Sequence, residues 1–422
     1  MYAQSMDLSA FSREEVRRRF TLYALVLAAV MLGMLWRDLN ERFYRGDRPT
    51  SGINDYFQEY IGGWMVRQGD HARFYDPDYA NLVEHDSDVT GFHWPGESYL
   101  PMIYPPFYYL LVAPLSFLPL RVAATLWLGL ISLCLAATIW LWLRAFPGRA
   151  RADWLIPAAL LFPPTIENLT SGQKATILLL ILTATFLLLR RGSHFVAGFV
   201  FGLVAFKPHL GLLVGLVFLC KGQWRFVAGS LLMVALLVAL SFAVGGDVCA
   251  QYAERGKSMA QYIETPGYDL SRSHSWYGFF RLYLAGAQLA TVQTLTLAAA
   301  LATLAILAFL FRGRLETGSP TFAIQYSGLI VALVVLSPHL YTYDQTLLLL
   351  PMFLTLMTLL ETRDRHTPEE ARRMFILLAA FYALVAVSTY VAKLVPVQVS
   401  VGAMLVFLLL SVPVSQSLRA PS

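Results

Sequence analysis

Residues 190–225 read RRGSHFVAGFVFGLVAFKPHLGLLVGLVFLCKGQWR, an apolar segment with basic residues at both ends and Lys207-Pro208-His209 in the middle. Membrane proteins keep loops rich in Lys and Arg on the cytoplasmic side, so this segment should enter and leave the membrane on that side. Proline breaks a continuous helix, and each half of about 12 residues reaches only ~18 Å of a ~30 Å hydrocarbon core. The sequence therefore predicts two short helices that meet at Lys207, in a cavity open to the outer side.

The whole chain has the composition of a polytopic membrane protein. Of its 422 residues, 57% are hydrophobic and 14% are charged, whereas soluble domains contain about 25% charged residues. Uncharged runs long enough for a membrane span occupy residues 20–36, 122–143, 226–246, 282–311, 374–392 and 394–418. Together with the shorter apolar segments, these runs predict an all-α fold of about 12 transmembrane helices in one integral membrane domain, residues 1–422.

Basic residues orient the predicted helices. The clusters assigned to the cytoplasm, together with both termini, are Arg13/Arg17/Arg18/Arg19, Arg144/Arg149/Arg151, Arg190/Arg191, Lys221/Arg225, Arg312/Arg314, Arg363/Arg365/Arg372/Arg373 and Arg419. The outer side then holds a first loop, residues 41–121, and a second loop, residues 246–285. Within the first loop, apolar residues 107–119 are expected to lie along the outer interface without crossing. The expected location is the cytoplasmic (inner) membrane, with the polar loops facing the periplasm or exterior.

The first outer loop contains Asn54-Asp55-Tyr56, where apolar spacing predicts a short amphipathic helix that starts near Asp55. Two interpretations of Asp55 stay open. It is the N-cap of that helix, or it is a carboxylate that removes a proton from a hydroxyl, as the general base of an inverting glycosyl transfer does.

Lys207 and His209 are the second candidate site. Ionisable residues at membrane depth are costly and commonly functional, and a partly dry pocket with cationic donors suits a lipid phosphate. The alternative is a lysine whose head group extends to the interface.

The segment Ser337-Pro338-His339-Leu340-Tyr341-Thr342-Tyr343-Asp344-Gln345 is the third candidate site, at the outer end of an apolar run. His339 is expected to donate to a phosphate or to orient a carboxylate. Further polar and aromatic residues are expected to line the same cavity: Tyr56, Tyr104, Gln173, Arg272, Trp276 and Asp344.

Other chemistries have little support in the sequence. It contains no phosphate-binding glycine loop, no nucleophile elbow and no HExxH pair. His85, Asp86, Asp88 and His93 are close in sequence but lack a metal-ligand spacing, so a solvated loop is favoured. No metal, no cofactor and no nucleic acid is therefore expected, and the net charge of +5 is attributed to topology.

The order of these motifs resembles glycosyltransferase family 87, multi-span enzymes of the GT-C fold that include polyprenyl-phosphate-mannose-dependent mannosyltransferases. Most of the chain is covered by the resemblance. It rests on Asp55-Tyr56, Tyr104-Pro105-Pro106 with Pro114, Gly172-Gln173, Lys207-Pro208, and Ser337-Pro338 with Asp344. The chain departs from the family at His339-Leu340-Tyr341, where relatives commonly have a tryptophan and paired histidines.

The resemblance implies transfer of a hexose, most often mannose, from a polyprenyl-phosphate donor to a lipid or glycan acceptor in the cell envelope. Asp55 matches the catalytic aspartate of the family and would be the base. Lys207, His209 and His339 would hold the donor phosphate in a membrane whose lipids accommodate its tail.

Three alternatives remain at this stage: a lipid flippase or small-solute transporter, a related GT-C enzyme with another sugar or an oligosaccharide ligase activity, and a non-catalytic scaffold. A transporter would distribute ionisable residues through its helices and would show inverted repeats. In this sequence the polar residues gather on the predicted outer side, and no repeat is evident.

Overall fold

The computed structural model describes residues 54–91, 101–145, 155–259 and 268–419, and residues 22–37 in part. The described residues form α-helices and short 3₁₀ helices, with one isolated bridge between Ser273 and Tyr341. The predicted all-α class is therefore confirmed. The basic cluster at residues 13–19 and His93 lie outside the described residues, and the run 20–36 lies within them only in part.

The helices of the first half of the chain are, in order, α1 Asn54–Gln68, α2 Pro77–His85, α3 Ser87–Thr90, α4 Pro106–Val112, α5 Leu120–Ala145, α6 Leu155–Leu160, α7 Pro163–Ser171, α8 Ala175–Arg190, α9 His194–Phe201 and α10 Pro208–Cys220. Those of the second half are α11 Trp224–Val244, α12 Gly246–Met259, α13 Trp276–Tyr283, α14 Leu289–Leu310, α15 Pro320–Leu336, α16 Leu349–Glu361, α17 Pro368–Leu394 and α18 Val399–Ser417. The 3₁₀ helices are Ala113–Phe117, Gly202–Phe206, Leu270–Arg272, Thr342–Leu348 and Arg363–Arg365.

Six helical segments of the described part are long and apolar enough to span a membrane: Leu120–Ala145, Trp224–Val244, Leu289–Leu310, Thr342–Glu361, Pro368–Leu394 and Val399–Ser417. Five of them cover runs that the sequence predicts as spans. The sixth segment, Thr342–Glu361, has polar residues at its start, and most of its residues are buried inside the protein. A polar start is tolerated at membrane depth when other helices surround it.

The described part of the bundle also contains five shorter apolar segments: Pro106–Phe117, Ala175–Arg190, His194–Phe206, Pro208–Cys220 and Pro320–Leu336. The first of these covers the segment expected to lie along the interface, and it packs against α1 and α11. Its 12 residues reach only about 18 Å, too short to cross a bilayer. These lengths agree with the abbreviated helices that the sequence predicts.

The predicted hairpin at Lys207 is confirmed. Segment His194–Phe206 leads to Lys207, and α10 returns from it. Its two ends lie on the same side of the protein, because His194 and Cys220 line one cavity with Arg314. The first arm packs closely on α11: a Cβ at Gly198 would overlap the Phe226 carbonyl. Small residues permit such close helix contacts in membranes.

Several of the basic residues that the sequence assigns to the cytoplasm lie at one end of the bundle, whereas Arg149 and Arg151 lie outside the described residues. Lys221 Nζ donates to the Gly313 carbonyl oxygen at 3.1 Å, and Arg419 donates to the Leu310 carbonyl at 3.2 Å. Both cations therefore lie at the carboxyl end of α14, where the helix dipole favours positive charge. At the same end, Arg190 pairs with Glu361 across 3.8 Å.

Candidate active site

Asp55 lies at the opposite end of the bundle, in the first turn of α1. Its Oδ2 accepts a hydrogen bond from Gln173 Nε2 at 2.6 Å. Gln173 follows Gly172, which ends α7 in the left-handed region at φ 70°, a conformation that glycine adopts without strain. The amino-terminal turn of a helix also favours a negatively charged carboxylate. The hydrogen bond from Gln173 therefore fixes the Asp55 side chain at the start of α1, a position that suits a carboxylate.

Tyr56 fixes the start of α1. Its ring is buried and stacks on Trp127 of α5, with 5.2 Å between ring centroids. The Trp127 indole donates to the Gly172 carbonyl oxygen at 2.7 Å. One aromatic pair thus joins the beginning of α1 to the turn that carries Gln173.

A second carboxylate, Glu59, lies one helical turn after Asp55 and forms an ion pair with Lys174. Both side chains are fully buried. The Lys174 ammonium also lies 4.1 Å from the ring centroid of Tyr104, a cation–π contact. Burial raises the pKa of Glu59, and the adjacent ammonium opposes that shift. Sequence reasoning missed Glu59 as a site residue, although its i, i+4 spacing from Asp55 was available as a signal.

Lys207 is paired with Asp344. Its Nζ lies 2.7 Å from Asp344 Oδ1, and the two side chains are only 9% and 4% exposed. The ammonium also faces the Tyr343 ring, 5.7 Å from its centroid. Lys207 is therefore held inside the protein and is not extended toward the interface.

Tyr104 connects the Asp55 side of the site to the Lys207 side. Burial raises the pKa of its phenol well above the usual value, and the negative charges of Glu59, Asp344 and Asp55 add to that increase. All three carboxylates are therefore close enough to one ring to interact with it electrostatically. Asp55, Glu59, Lys174, Lys207 and Asp344 therefore form one group of charged side chains around Tyr104, which we call the chamber.

A stack of aromatic rings forms the wall of this chamber. Tyr104 contacts Tyr108 with ring centroids 4.7 Å apart, and Tyr108 stacks on Phe206 at 5.7 Å. Phe206 directly precedes Lys207 in the chain. The stack thus runs from Tyr104, whose ring contacts the Lys174 ammonium, to Phe206 at the tip of the hairpin.

Arg272 reaches the site from the 3₁₀ helix Leu270–Arg272. Its Nε donates to Glu167 Oε1 at 3.1 Å, and its Nη2 contacts the same oxygen. The guanidinium lies 5.2 Å from the centroid of Tyr341. With 33% of its side chain exposed, Arg272 is more accessible than Lys174 or Lys207. It also interacts electrostatically with Asp55 and Tyr343.

The two predicted phosphate-binding histidines lie near the hairpin tip. His209 is close enough to both Lys207 and His339 to interact with them electrostatically. His339 is half-buried, and burial lowers its pKa. Its imidazole is therefore neutral at pH 7, with one N–H donor and one acceptor nitrogen.

Trp276 occupies a different environment. Its indole N–H donates to Thr303 Oγ1 at 2.9 Å, and its ring stacks on Phe280 at 6.1 Å. These contacts place it in the packing of α13 against α14.

His85, Asp86 and Asp88, in the first loop, have local structural roles. Asp86 accepts from the Asp88 backbone N–H at 2.9 Å and caps α3. His85 Nδ1 lies 2.8 Å from the Asn81 carbonyl oxygen. Within the described ranges, no group of three or more His, Cys, Asp and Glu side chains is arranged to hold a metal ion.

Comparison with known proteins gave two matches. The model of glycosyltransferase family 87 matches residues 102–338, more than half of the chain. A crystal structure of ArnT from Cupriavidus metallidurans in the apo state is similar with a TM-score of 0.39 and 15% identity, over 93% of this chain and 77% of that one. No curated protein sequence matches.

Proposed function

The chain belongs to glycosyltransferase family 87, and we propose that it moves a hexose from a polyprenyl-phosphate donor to an acceptor hydroxyl with inversion at the anomeric carbon. We propose mannose as the sugar, a lipid or glycan as the acceptor, and the outer face of the cytoplasmic membrane as the place of reaction. The observation that carries the proposal is the shared chamber, in which Asp55 and the Lys207–Asp344 pair both interact with Tyr104.

Asp55 is the base in this proposal. The acceptor oxygen attacks the anomeric carbon as the bond to the phosphate oxygen breaks, and the hydroxyl proton passes to the Asp55 carboxylate. Gln173 holds Oδ2 at 2.6 Å, which leaves Oδ1 to receive the proton. A phosphate leaves as a stable anion, so one carboxylate suffices, whereas hydrolysis of an ordinary glycoside uses two.

Lys207 is the donor-phosphate ligand in this proposal. An ammonium has three N–H donors, and Asp344 accepts one at 2.7 Å. Two donors remain for phosphate oxygens in a partly dry site, where charge-assisted hydrogen bonds are strong. Asp344 would hold Lys207 in place as negative charge develops on the leaving phosphate.

The remaining chamber residues complete the donor site. Neutral His339, with His209 beside it, supplies an uncharged hydrogen bond to the phosphate. Arg272 is proposed to approach the donor from the outer loop, because Glu167 uses only part of its guanidinium. Tyr104, whose phenol stays protonated because burial raises its pKa, is buried against the Lys174 ammonium and the Tyr108 ring, so its proposed role is to support the donor site without stacking on the sugar.

The site also bears on the transporter alternative. The buried pairs Glu59–Lys174 and Lys207–Asp344 and the partly buried pair Glu167–Arg272 lie at one end of the bundle. A proton or solute pathway would place ionisable groups along its length. The gathering at one end is the pattern expected of a reaction chamber.

The test is a transfer assay with labelled polyprenyl-phosphate mannose on the purified full chain in lipid vesicles, comparing the wild type with Asp55→Asn. We expect Asp55→Asn to lower kcat by about 100-fold or more, the scale of a lost general base. The matched control is Asp70→Asn, since Asp70 follows the far end of α1 and accepts a hydrogen bond from the Tyr79 hydroxyl at 2.8 Å.

We expect Asp70→Asn to keep wild-type turnover. Near-normal turnover of Asp55→Asn would remove Asp55 from the role of base. If the wild-type enzyme transfers glucose or arabinose from polyprenyl phosphate at the same rate as mannose, the proposed sugar is contradicted.

A further inference from the structure

We propose that the buried Glu59–Lys174 ion pair is a positioning device that fixes the place and the charge state of Asp55 without touching the substrate. The inference rests on the proposed role of Asp55 as the base. It assigns a role to two residues that lie beside the reaction and form none of its bonds.

The geometry shows two parallel links between α1 and the start of α8. Asp55 and Glu59 are four residues apart, so they lie on the same face of α1. Gln173 and Lys174 are adjacent in the chain. Gln173 binds Asp55 at 2.6 Å, and Lys174 binds Glu59. Any movement of α1 that shifts Asp55 must also stretch the ion pair.

Burial makes this ion pair an unusual choice for holding two helices together. Both side chains are 0% exposed, and replacing a buried ion pair by apolar residues is often neutral or stabilising. Glu59 Oε2 has no hydrogen-bond partner among the described residues, so the pair is not fully compensated. A charged pair at this position is therefore better explained by its effect on the neighbouring carboxylate than by stability.

The electrostatic effect follows from the charges around Glu59. The titratable and charged groups that interact with it from the surrounding segments are Asp55 and Tyr56 on α1, Tyr104 and Tyr109 from the end of the first loop, Lys174, and Lys207 at the hairpin tip. Lys174 neutralises Glu59 at contact distance. Asp55 then lies beside a pair of zero net charge and can accept a proton without a second bare carboxylate or a free ammonium next to it.

The two single neutralisations should therefore affect the pH dependence of transfer differently. Glu59→Gln leaves the Lys174 ammonium without its partner and free to attract Asp55, so the acid limb of the kcat profile should move to lower pH and kcat should fall. Lys174→Met removes the ammonium that opposes the effect of burial on Glu59, so the buried Glu59 carboxyl takes up a proton and the limb should stay in place. We expect a shift of about one pH unit in Glu59→Gln, the size produced by a charge within ~4–6 Å.

The double variant Glu59→Gln/Lys174→Met separates charge from packing. It removes both charges, so the acid limb should return to its wild-type position. Glu369→Gln is the matched control, because Glu369 pairs with Arg373 in an ion pair that is 74% and 72% exposed. This control should leave the profile unchanged.

The measurement is kcat against pH for each variant with the mannose donor, together with the donor KM. A Glu59→Gln variant that lowers protein yield or melting temperature but keeps the wild-type acid limb would overturn the inference. An active Asp55→Asn enzyme would instead overturn the proposed function. If the neutralised variants do not fold, Glu59→Asp and Lys174→Arg keep both charges and should lower kcat with an unmoved limb; a wild-type kcat in both would also overturn the inference.

Discussion

The two ends of the helical bundle use charge differently. At the basic end, the ion pair Arg373–Glu369 is exposed, the pair Arg190–Glu361 is partly exposed, and Lys221 meets the Gly313 carbonyl just after α14. At the chamber end, the pairs Glu59–Lys174 and Lys207–Asp344 are almost completely buried. Exposed pairs contribute about 0–1 kcal/mol, whereas losing one partner of a buried pair costs about 3–5 kcal/mol. In the proposed function, charge at the basic end serves orientation and charge in the chamber serves chemistry.

The largest expected difference between the two ends concerns Lys207. Lys207→Met leaves the Asp344 carboxylate buried without a cation, so the free energy of unfolding should fall by about 3–5 kcal/mol and donor use should weaken. Lys207→Met/Asp344→Leu removes both charges and should recover most of the stability without recovering donor use. Thermal unfolding and kcat/KM for the donor separate the two effects.

Two results would contradict this prediction. The first is a single variant with wild-type stability, which would mean that the pair is not buried in the membrane. The second is a double variant with normal donor KM and kcat, which would reject Lys207 as the phosphate ligand.

The hairpin at Lys207 could be predicted from the sequence because basic clusters at both of its ends constrain the number of crossings. The length of uncharged runs located five of the long spans, and apolar spacing located the start of α1. Pairings were harder. Lys207, Asp344, Gln173 and Asp55 were each identified as candidates, but nothing in a single sequence shows that Lys207 meets a residue 137 positions later.

Glu59 and Trp276 show the other limit of the sequence. Glu59 has the appearance of a polar residue on an amphipathic helix, and only the tertiary position of Lys174 makes it a buried partner. Trp276 has the type of side chain that stacks on a sugar, but its indole binds Thr303 of α14. Residue type was readable from the sequence, whereas side-chain direction depends on how the helices pack.

The chamber end should also be the more acid-sensitive one, because of His274. This ring is fully buried and contacts Ser400 and Thr389 at 2.9 Å, which joins the segment before α13 to α17 and α18. Burial, assisted by the positive charge of Arg272, lowers the pKa of His274 to about 3. The folded state then binds fewer protons than the unfolded state between that value and the ordinary value of about 6.5.

Stability from His274 should therefore be complete above about pH 6.5 and should be lost as the pH falls toward its folded pKa. The expected loss is about 3 kcal/mol at pH 4, measured as the free energy of unfolding between pH 7 and pH 4. His274→Gln should be less stable at pH 7 but should have a flatter pH dependence. An equally steep dependence in that variant would assign the acid sensitivity to other groups.

A smaller difference is expected within the hairpin itself, whose two arms carry Lys207 from the basic end to the chamber. In Gly198→Ala the new methyl group would overlap the Phe226 carbonyl of α11, so the free energy of unfolding should fall by about 1–3 kcal/mol. Gly215→Ala in α10 is the matched control, because its Cβ would meet nothing within 4 Å. Alanine is the better helix former, so the control should be neutral or slightly stabilising. Equal effects of the two substitutions on the melting temperature would contradict the close packing of α9 on α11.

The smallest expected effect belongs to the basic end. Glu369→Gln breaks an i, i+4 ion pair with Arg373 whose side chains are 74% and 72% exposed. The free energy of unfolding should therefore change by less than ~1 kcal/mol, the upper end for exposed pairs. Any change should shrink further as salt is added, since exposed charges are screened. Stability and donor turnover measured at low and high ionic strength check this. A large, salt-independent loss would mean that charge at the basic end is as tightly coupled to the fold as charge in the chamber, and the contrast between the two ends would then be wrong.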